Sequence, residues 1–292
     1  MSAAMSTPDT PPSPGPVAPA PPVRVSRAGR NLPAAIASGV VLGAAIITSL
    51  VFWKPAFMLI VVAAVVVAVW ELGQAFGTGN IRLVREPIWV GGVIMVLAAY
   101  LFGAPSLVTA TAVTALGAML WRLRGGVAGY VMDATAAVFT IVYVPFLGGF
   151  VALLLAEDRG DLAIVTFILV TIASDIGGYA VGVLAGKHPM APVISPKKSW
   201  EGFAGSTVSS VLAGWLTVAY LLDGRWWVGV LVGLVAVVMA TLGDLCESVI
   251  KRDLGIKDMS QIVPGHGGLM DRLDSLLATA APVWLILHYL VF

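Results

Sequence analysis

The chain has 292 residues, 59% of them hydrophobic and only 11% charged, with a formal net charge of +1. A soluble domain of this size carries about 25% charged residues, so this chain cannot clothe a water-facing surface and reads as a polytopic membrane protein covered by lipid. One cysteine, Cys246, excludes an intrachain disulfide and reads as a small buried hydrophobe.

Residues 1–31 form a Pro-rich tail. Pro8, Pro11, Pro12, Pro14, Pro16, Pro19, Pro21 and Pro22 stand among Ser, Thr and Ala with few large apolar residues, a composition predicted to be disordered. From Leu32 onward the chain is a series of apolar runs. About 20 apolar residues in helix cross a bilayer core, and nine such spans are predicted, near 33–53, 55–77, 87–103, 105–121, 134–156, 161–186, 204–222, 226–245 and 275–292. The breaks at Pro55 and Pro105 imply two tight helical hairpins. The fold class is therefore all-α, in three parts: the tail (1–31), N-terminal transmembrane helices (32–160) and a C-terminal catalytic transmembrane region (161–292).

Lys and Arg concentrate on the cytoplasmic side of membrane proteins. With a cytoplasmic N-terminus, nine spans put all but Lys54, Arg159 and Arg225 of the 17 basic residues on that side. Two cytoplasmic segments, 186–203 and 247–274, hold most of the chemistry.

The first constellation begins at the end of the eighth span: Gly243, Asp244, Leu245, Cys246, Glu247, Ser248, Val249, Ile250, Lys251, Arg252. If the helix continues, Asp244, Ser248 and Lys251 or Arg252 share a face, a stripe that can hold a metal ion and a phosphate. The plainer alternative is a basic helix end among lipid headgroups. The second is Pro264 to Asp274, where Gly265, Gly267 and Gly268 let a ligand approach the main chain. Its exposed N–H groups can cradle an anion. Asp271 and Asp274 lie three apart, on one helix face if the last span starts there; carboxylates at a helix start also simply stabilise it. The third, Ser195 to Gly202, sets Lys197 and Lys198 among small polar residues, as phosphate binding or as a basic cytoplasmic loop. Trp200 suits an interfacial anchor or a nucleobase platform. The fourth is Asp175, deep in the sixth span beside Gly177 and Gly178. A charge at the centre of a span costs about 2.5–3.5 kcal/mol on insertion scales, so Asp175 belongs in the bundle interior at a polar site. Glu71, near the cytoplasmic end of span two, reads as a structural or interfacial carboxylate. Several carboxylates, many cations and a glycine turn on one side of the membrane suit metal-assisted phosphoryl or nucleotidyl transfer, which needs positioning and charge neutralisation more than a covalent nucleophile.

The run from Ser248 to Asp274 closely resembles the signature of the phosphatidate cytidylyltransferases, as does the stretch from Asp175 to Gly202. Val263 replaces a larger side chain and Gly178 replaces an Ala, neither touching the chemistry. The resemblance is strong over about the last 120 residues; the first half matches only as apolar spans. It implies that CTP and phosphatidic acid give CDP-diacylglycerol and pyrophosphate with Mg²⁺ as cofactor. By position, Asp244 and Asp271 would be the metal-binding pair, supported by Asp175 and Asp274. Ser248, Lys251, Arg252 and Arg272 would contact phosphates, Lys197, Lys198 and Ser199 would bind CTP phosphates or pyrophosphate, and His266, Gly267 and Gly268 would line the nucleotide site. Asp244, Asp271, Ser248 and Lys198 form the expected catalytic set. The resemblance also implies a multi-pass protein of the cytoplasmic membrane with its site facing the cytoplasm, a homodimer as a plausible assembly, and no nucleic-acid partner. Two rivals are a CTP-dependent polyprenol or phytol kinase, which transfers the γ-phosphate, and a small-anion transporter, for which the chain shows no paired repeat.

Overall fold

A computed structural model describes residues 32–260, 262 and 267–292; the Pro-rich tail and His266 lie outside the described residues. Ten α-helices follow in order: α1 (Leu32–Phe52), α2 (Lys54–Thr78), α3 (Arg85–Phe102), α4 (Ala104–Arg122), α5 (Tyr130–Ile141), α6 (Leu147–Ala156), α7 (Gly160–Ala185), α8 (Trp200–Tyr220), α9 (Trp226–Asp253) and α10 (Met270–Leu290). A π-helical segment, Val142–Phe146, joins α5 to α6 and holds Pro145 inside one continuous span. Proline cannot donate to the helical ladder, and a wide turn absorbs its missing N–H. Counting α5 to α6 as one, eight stretches are long and apolar enough to cross a membrane; α1 precedes them as a 21-residue helix. The protein is an all-α polytopic membrane protein.

The helix starts follow local chemistry. Pro55 and Pro105 fall in the first turns of α2 and α4, where a missing N–H costs nothing. Gly103, at φ 78°, makes the tight reversal between α3 and α4, a conformation that favours glycine.

Two kinds of surface separate inside from outside. Leu72, Ile88, Met95, Ile141, Leu154, Ile164, Val232 and Leu287 are fully enclosed, whereas Phe52, Val90, Leu101, Val113, Leu184 and Val208 point outward. Such an apolar exterior is costly in water and ordinary in hydrocarbon, so packing inside the bundle rests on close fit and hydrogen bonds. α7 and α8 show this most clearly. A Cβ added at Gly177 or Gly205 would strike the backbone of the other helix. The hydroxyls of Ser206, Ser209 and Ser210 donate across the seam to the carbonyls of Ser174, Ala173 and Val170 at 2.7, 2.7 and 3.0 Å.

Cys246 is exposed, which corrects the expectation of a buried thiol. It lies two residues beyond Asp244, about 200° around the helix, and so points away from the interior that Asp244 faces. Arg122, just past the predicted fourth span, is buried. Its Nε pairs with Asp133 Oδ2 at 2.8 Å, and its Nη1 and Nη2 donate to the carbonyls of Gly126 and Ala128. The Arg82 N–H donates to the other Asp133 oxygen at 2.8 Å, so one buried pair ties the α2–α3 and α4–α5 connections together. At the opposite end, Glu157 accepts from Trp284 Nε1 at 3.1 Å and meets His288 Nδ1 at 2.8 Å, tying the α6–α7 turn to the end of α10.

Candidate active site

Four helices converge at the end of the bundle that carries the two chemistry-rich segments. α9 does not stop where its apolar run stops but continues to Asp253. Thr241, Asp244, Glu247 and Lys251 therefore fall on one stripe, at spacings of three and four. α10 likewise starts at Met270 rather than near 275, bringing Asp271, Arg272 and Asp274 into its first turns.

The connection after α7 is a short antiparallel hairpin, β1 (Pro189–Ala191) and β2 (Ser195–Ser199), where a loop was expected. Ser199 ends β2 and caps α8, its Oγ accepting from the Gly202 N–H at 3.1 Å, a common use of serine at a helix start. Glu201 secures the start of β1 at the same open end of the hairpin, accepting from the N–H groups of Lys187 and His188 and meeting His188 Nδ1 at 2.5 Å. Lys197 and Lys198 thus sit on a strand anchored where it runs into α8.

Between these elements lies a cavity of about 490 Å³. Asp175, Lys197, Lys198, Ser199, Asp244, Lys251, Asp271, Arg272 and Asp274, all predicted from the sequence, line it. Lys198 Nζ pairs with Asp244 Oδ2 at 2.6 Å. Lys251 Nζ donates to Glu247 Oε2 at 2.6 Å and Asp271 Oδ1 at 2.7 Å, bridging α9 and α10. The second Asp271 oxygen accepts from the N–H groups of Gly268 (2.8 Å) and Met259 (3.1 Å).

Other predicted residues stand behind the cavity wall. Ser248 Oγ donates to Asp244 Oδ1 at 3.3 Å. Arg252 reaches the hairpin, its Nε 3.5 Å from the Ile194 carbonyl. Gly267, at φ 88°, and Gly268 form a turn from which the Gly268 N–H reaches Asp271.

The sequence reading assigned no role to Glu247, Asp258 or Tyr179, which also line the cavity. Glu247 is 1% exposed, and its Oε1 has no hydrogen-bond partner. Among the described residues, no three carboxylate, histidine or cysteine groups lie close enough to cage a metal ion by themselves.

The sequence profile described as the cytidylyltransferase family matches residues 33–290. The chain is 42% identical over 283 residues to a phosphatidate cytidylyltransferase of Mycobacterium bovis, covering 92% of each chain. It is 41% identical over 280 residues to that of Mycobacterium leprae, covering 90% of each. To that of Helicobacter pylori it is 37% identical over 155 residues, 53% of this chain and 57% of the relative. With a profile match over nearly all of the membrane region and full-length relatives at this identity, the chain belongs to the cytidylyltransferase family.

Proposed function

We propose that the protein transfers CMP from CTP to phosphatidic acid, giving CDP-diacylglycerol and pyrophosphate. The observation that carries this is one cavity, at the end of the bundle, where lysines and carboxylates from α7, β2, α9 and α10 meet, in a chain whose relatives bear that name. A phosphate oxygen of the lipid forms the new bond to the α-phosphorus of CTP, and the bond from that phosphorus to the β-phosphate oxygen breaks. The lipid phosphate is already an anion at neutral pH, so no strong general base is needed. The difficulty is bringing two anions together, which pre-placed cations ease. Lys197 and Lys198 hold the CTP phosphates and then pyrophosphate, while Lys251 and Arg272 face the phosphates from the α9–α10 side. Ser248 and Arg252 act from behind, on Asp244 and on the hairpin.

The residues present fit a divalent cation. Mg²⁺ is generally held by one or two carboxylates, waters and substrate phosphates rather than by an all-protein cage. Asp244 and Asp271 face one cavity, Asp175 and Asp274 line it beside them, and the buried Glu247 oxygen lacks a partner. Asp244 and Asp271 would hold Mg²⁺, which supplies charge neutralisation at the phosphates when bound. The bacterial relatives favour the cytoplasmic membrane, and the asymmetry of basic residues along the chain favours this end facing the cytoplasm.

The test is CTP labelled at the α- or γ-phosphate, given to the purified protein with phosphatidic acid and Mg²⁺. The α-label enters lipid with release of pyrophosphate, and Asp271→Asn abolishes transfer. Entry of the γ-label into a lipid would instead make the protein a kinase.

A further inference from the structure

Glu71 lies in α2, far in sequence from the segments discussed above, and is 0% exposed. A buried carboxylate is costly unless it is well hydrogen-bonded. Glu71 finds its donors 189 to 199 residues away: Ser260 Oγ at 2.5 Å, the Leu269 N–H at 2.8 Å and the Met270 N–H at 2.6 Å. The last two are the opening N–H groups of α10, which need acceptors from outside the helix. Leu269 occupies the cap position and has no side-chain acceptor to offer. A carboxylate from another helix does that work, and it also suits the positive end of the helix dipole.

What Glu71 holds is adjacent to what the site needs. Asp271 follows Met270 directly, and its Oδ2 accepts from the N–H groups of Met259 and Gly268, the residues just before the two points that Glu71 grips, Ser260 and Leu269–Met270. Gly268 is wedged between the two carboxylates: a Cβ there would lie 2.9 Å from Asp271 Oδ2 and 3.0 Å from Glu71 Oε1. The two acidic groups divide the N–H groups of one turn, Glu71 taking those that start the helix and Asp271 those of the loop packed against it.

We infer that Glu71 is a positioning residue for the active site: from α2 it fixes the rotation of the first turn of α10, and so aims Asp271 at Lys251 and the cavity. The reading of the cavity as a cytidylyl-transfer site underlies the kinetic part of this inference. Misplacement of a reacting group by about 1 Å costs up to roughly 100-fold in rate. A merely structural Glu71 would lower the amount of folded protein and leave the turnover of each folded molecule alone.

The experiment uses full-length protein in detergent and two substitutions, Glu71→Gln and the milder Ser260→Ala. Turnover, KM for each substrate and the Mg²⁺ concentration for half-activation are measured per folded molecule, with amide exchange of Met259 and residues 268–270. Glu71→Gln is expected to lower kcat by about tenfold or more, to raise the Mg²⁺ requirement, and to leave KM for phosphatidic acid near its original value. Exchange at those amides should quicken. Ser260→Ala should shift the same quantities in the same direction by less, and it carries the test alone if Glu71→Gln does not accumulate. Unchanged exchange at these amides overturns the inference, as does faster exchange with kcat and Mg²⁺ requirement intact. If the unsubstituted protein transfers no CMP, the proposed function has failed on its own; the exchange then decides whether Glu71 holds this turn, faster exchange supporting it and unchanged exchange overturning it.

Discussion

Lys198 and Lys251 show how little can be judged from a side chain's identity alone. Both read in the sequence as phosphate ligands, and both face the cavity already paired, Lys198 with Asp244 and Lys251 with Glu247 and Asp271. A hydrogen bond to a charged group contributes about 1.5–3 kcal/mol, roughly one to two powers of ten in affinity. Lys198→Ala should accordingly raise KM for CTP by about tenfold or more and change KM for phosphatidic acid much less; CTP titration at saturating lipid checks this. The pairing itself was not legible. Spacing placed Asp244, Ser248 and Lys251 on one face, but the partner of Asp244 comes from a hairpin 46 residues earlier in the chain, and no local pattern encodes that. Glu247 was overlooked because a glutamate four residues before a lysine is an ordinary helix-surface pair; only enclosure marks this one out.

Among the elements, those made by hydrocarbon contact were the readable ones. Pro55 and Pro105 marked helix starts, and the nine apolar runs each became helix. The misjudged boundaries lie chiefly at the site. Counting apolar residues ends the eighth span near 245, starts the ninth near 275 and starts the seventh near 204, whereas α9 runs to Asp253, α10 starts at Met270 and α8 at Trp200. Polar residues there turn inward to a shared cavity, so helix outlasts hydrophobicity. The π segment and the hairpin were invisible for a related reason: both depend on neighbours rather than on intrinsic preference. The α7–α8 seam gives a prediction at this scale. Gly205→Val would drive a branched side chain into Val181 and the Gly177 carbonyl, and overpacking of this kind costs about 1–3 kcal/mol. The thermal unfolding midpoint in detergent should fall, with weaker CTP binding because α8 carries β2 at its start. An unchanged midpoint would mean that the seam relaxes freely.

For the whole molecule, the phase of nine spans sets which end meets which compartment, and that phase rests on charge counting. It is checked with single cysteines in a Cys246→Ser background. A membrane-impermeant maleimide applied to intact cells should label Asp158→Cys, in the α6–α7 turn, and miss Thr78→Cys at the end of α2; permeabilising the cells should expose both. The reverse pattern would invert the protein and put the cavity outside. The N-terminal half, which resembled the family only as apolar spans, supplies Glu71 to the far end of the chain. A scaffold can therefore hold a decisive contact that no motif advertises, because its partners are main-chain N–H groups, and these carry no sequence signature.

The contact between Lys198 and Asp244 has a consequence for traffic through the site. The ammonium group already has a carboxylate partner; a phosphate that takes it must displace Asp244, so capture is an exchange of partners and its net free energy is a difference between two ion pairs. The same exchange runs backwards after the reaction: the aspartate is at hand to reclaim its lysine as pyrophosphate departs. A resident competitor of this kind keeps affinity for the polyanion moderate and its departure easy, which an enzyme that must shed a highly charged product at every turnover can use.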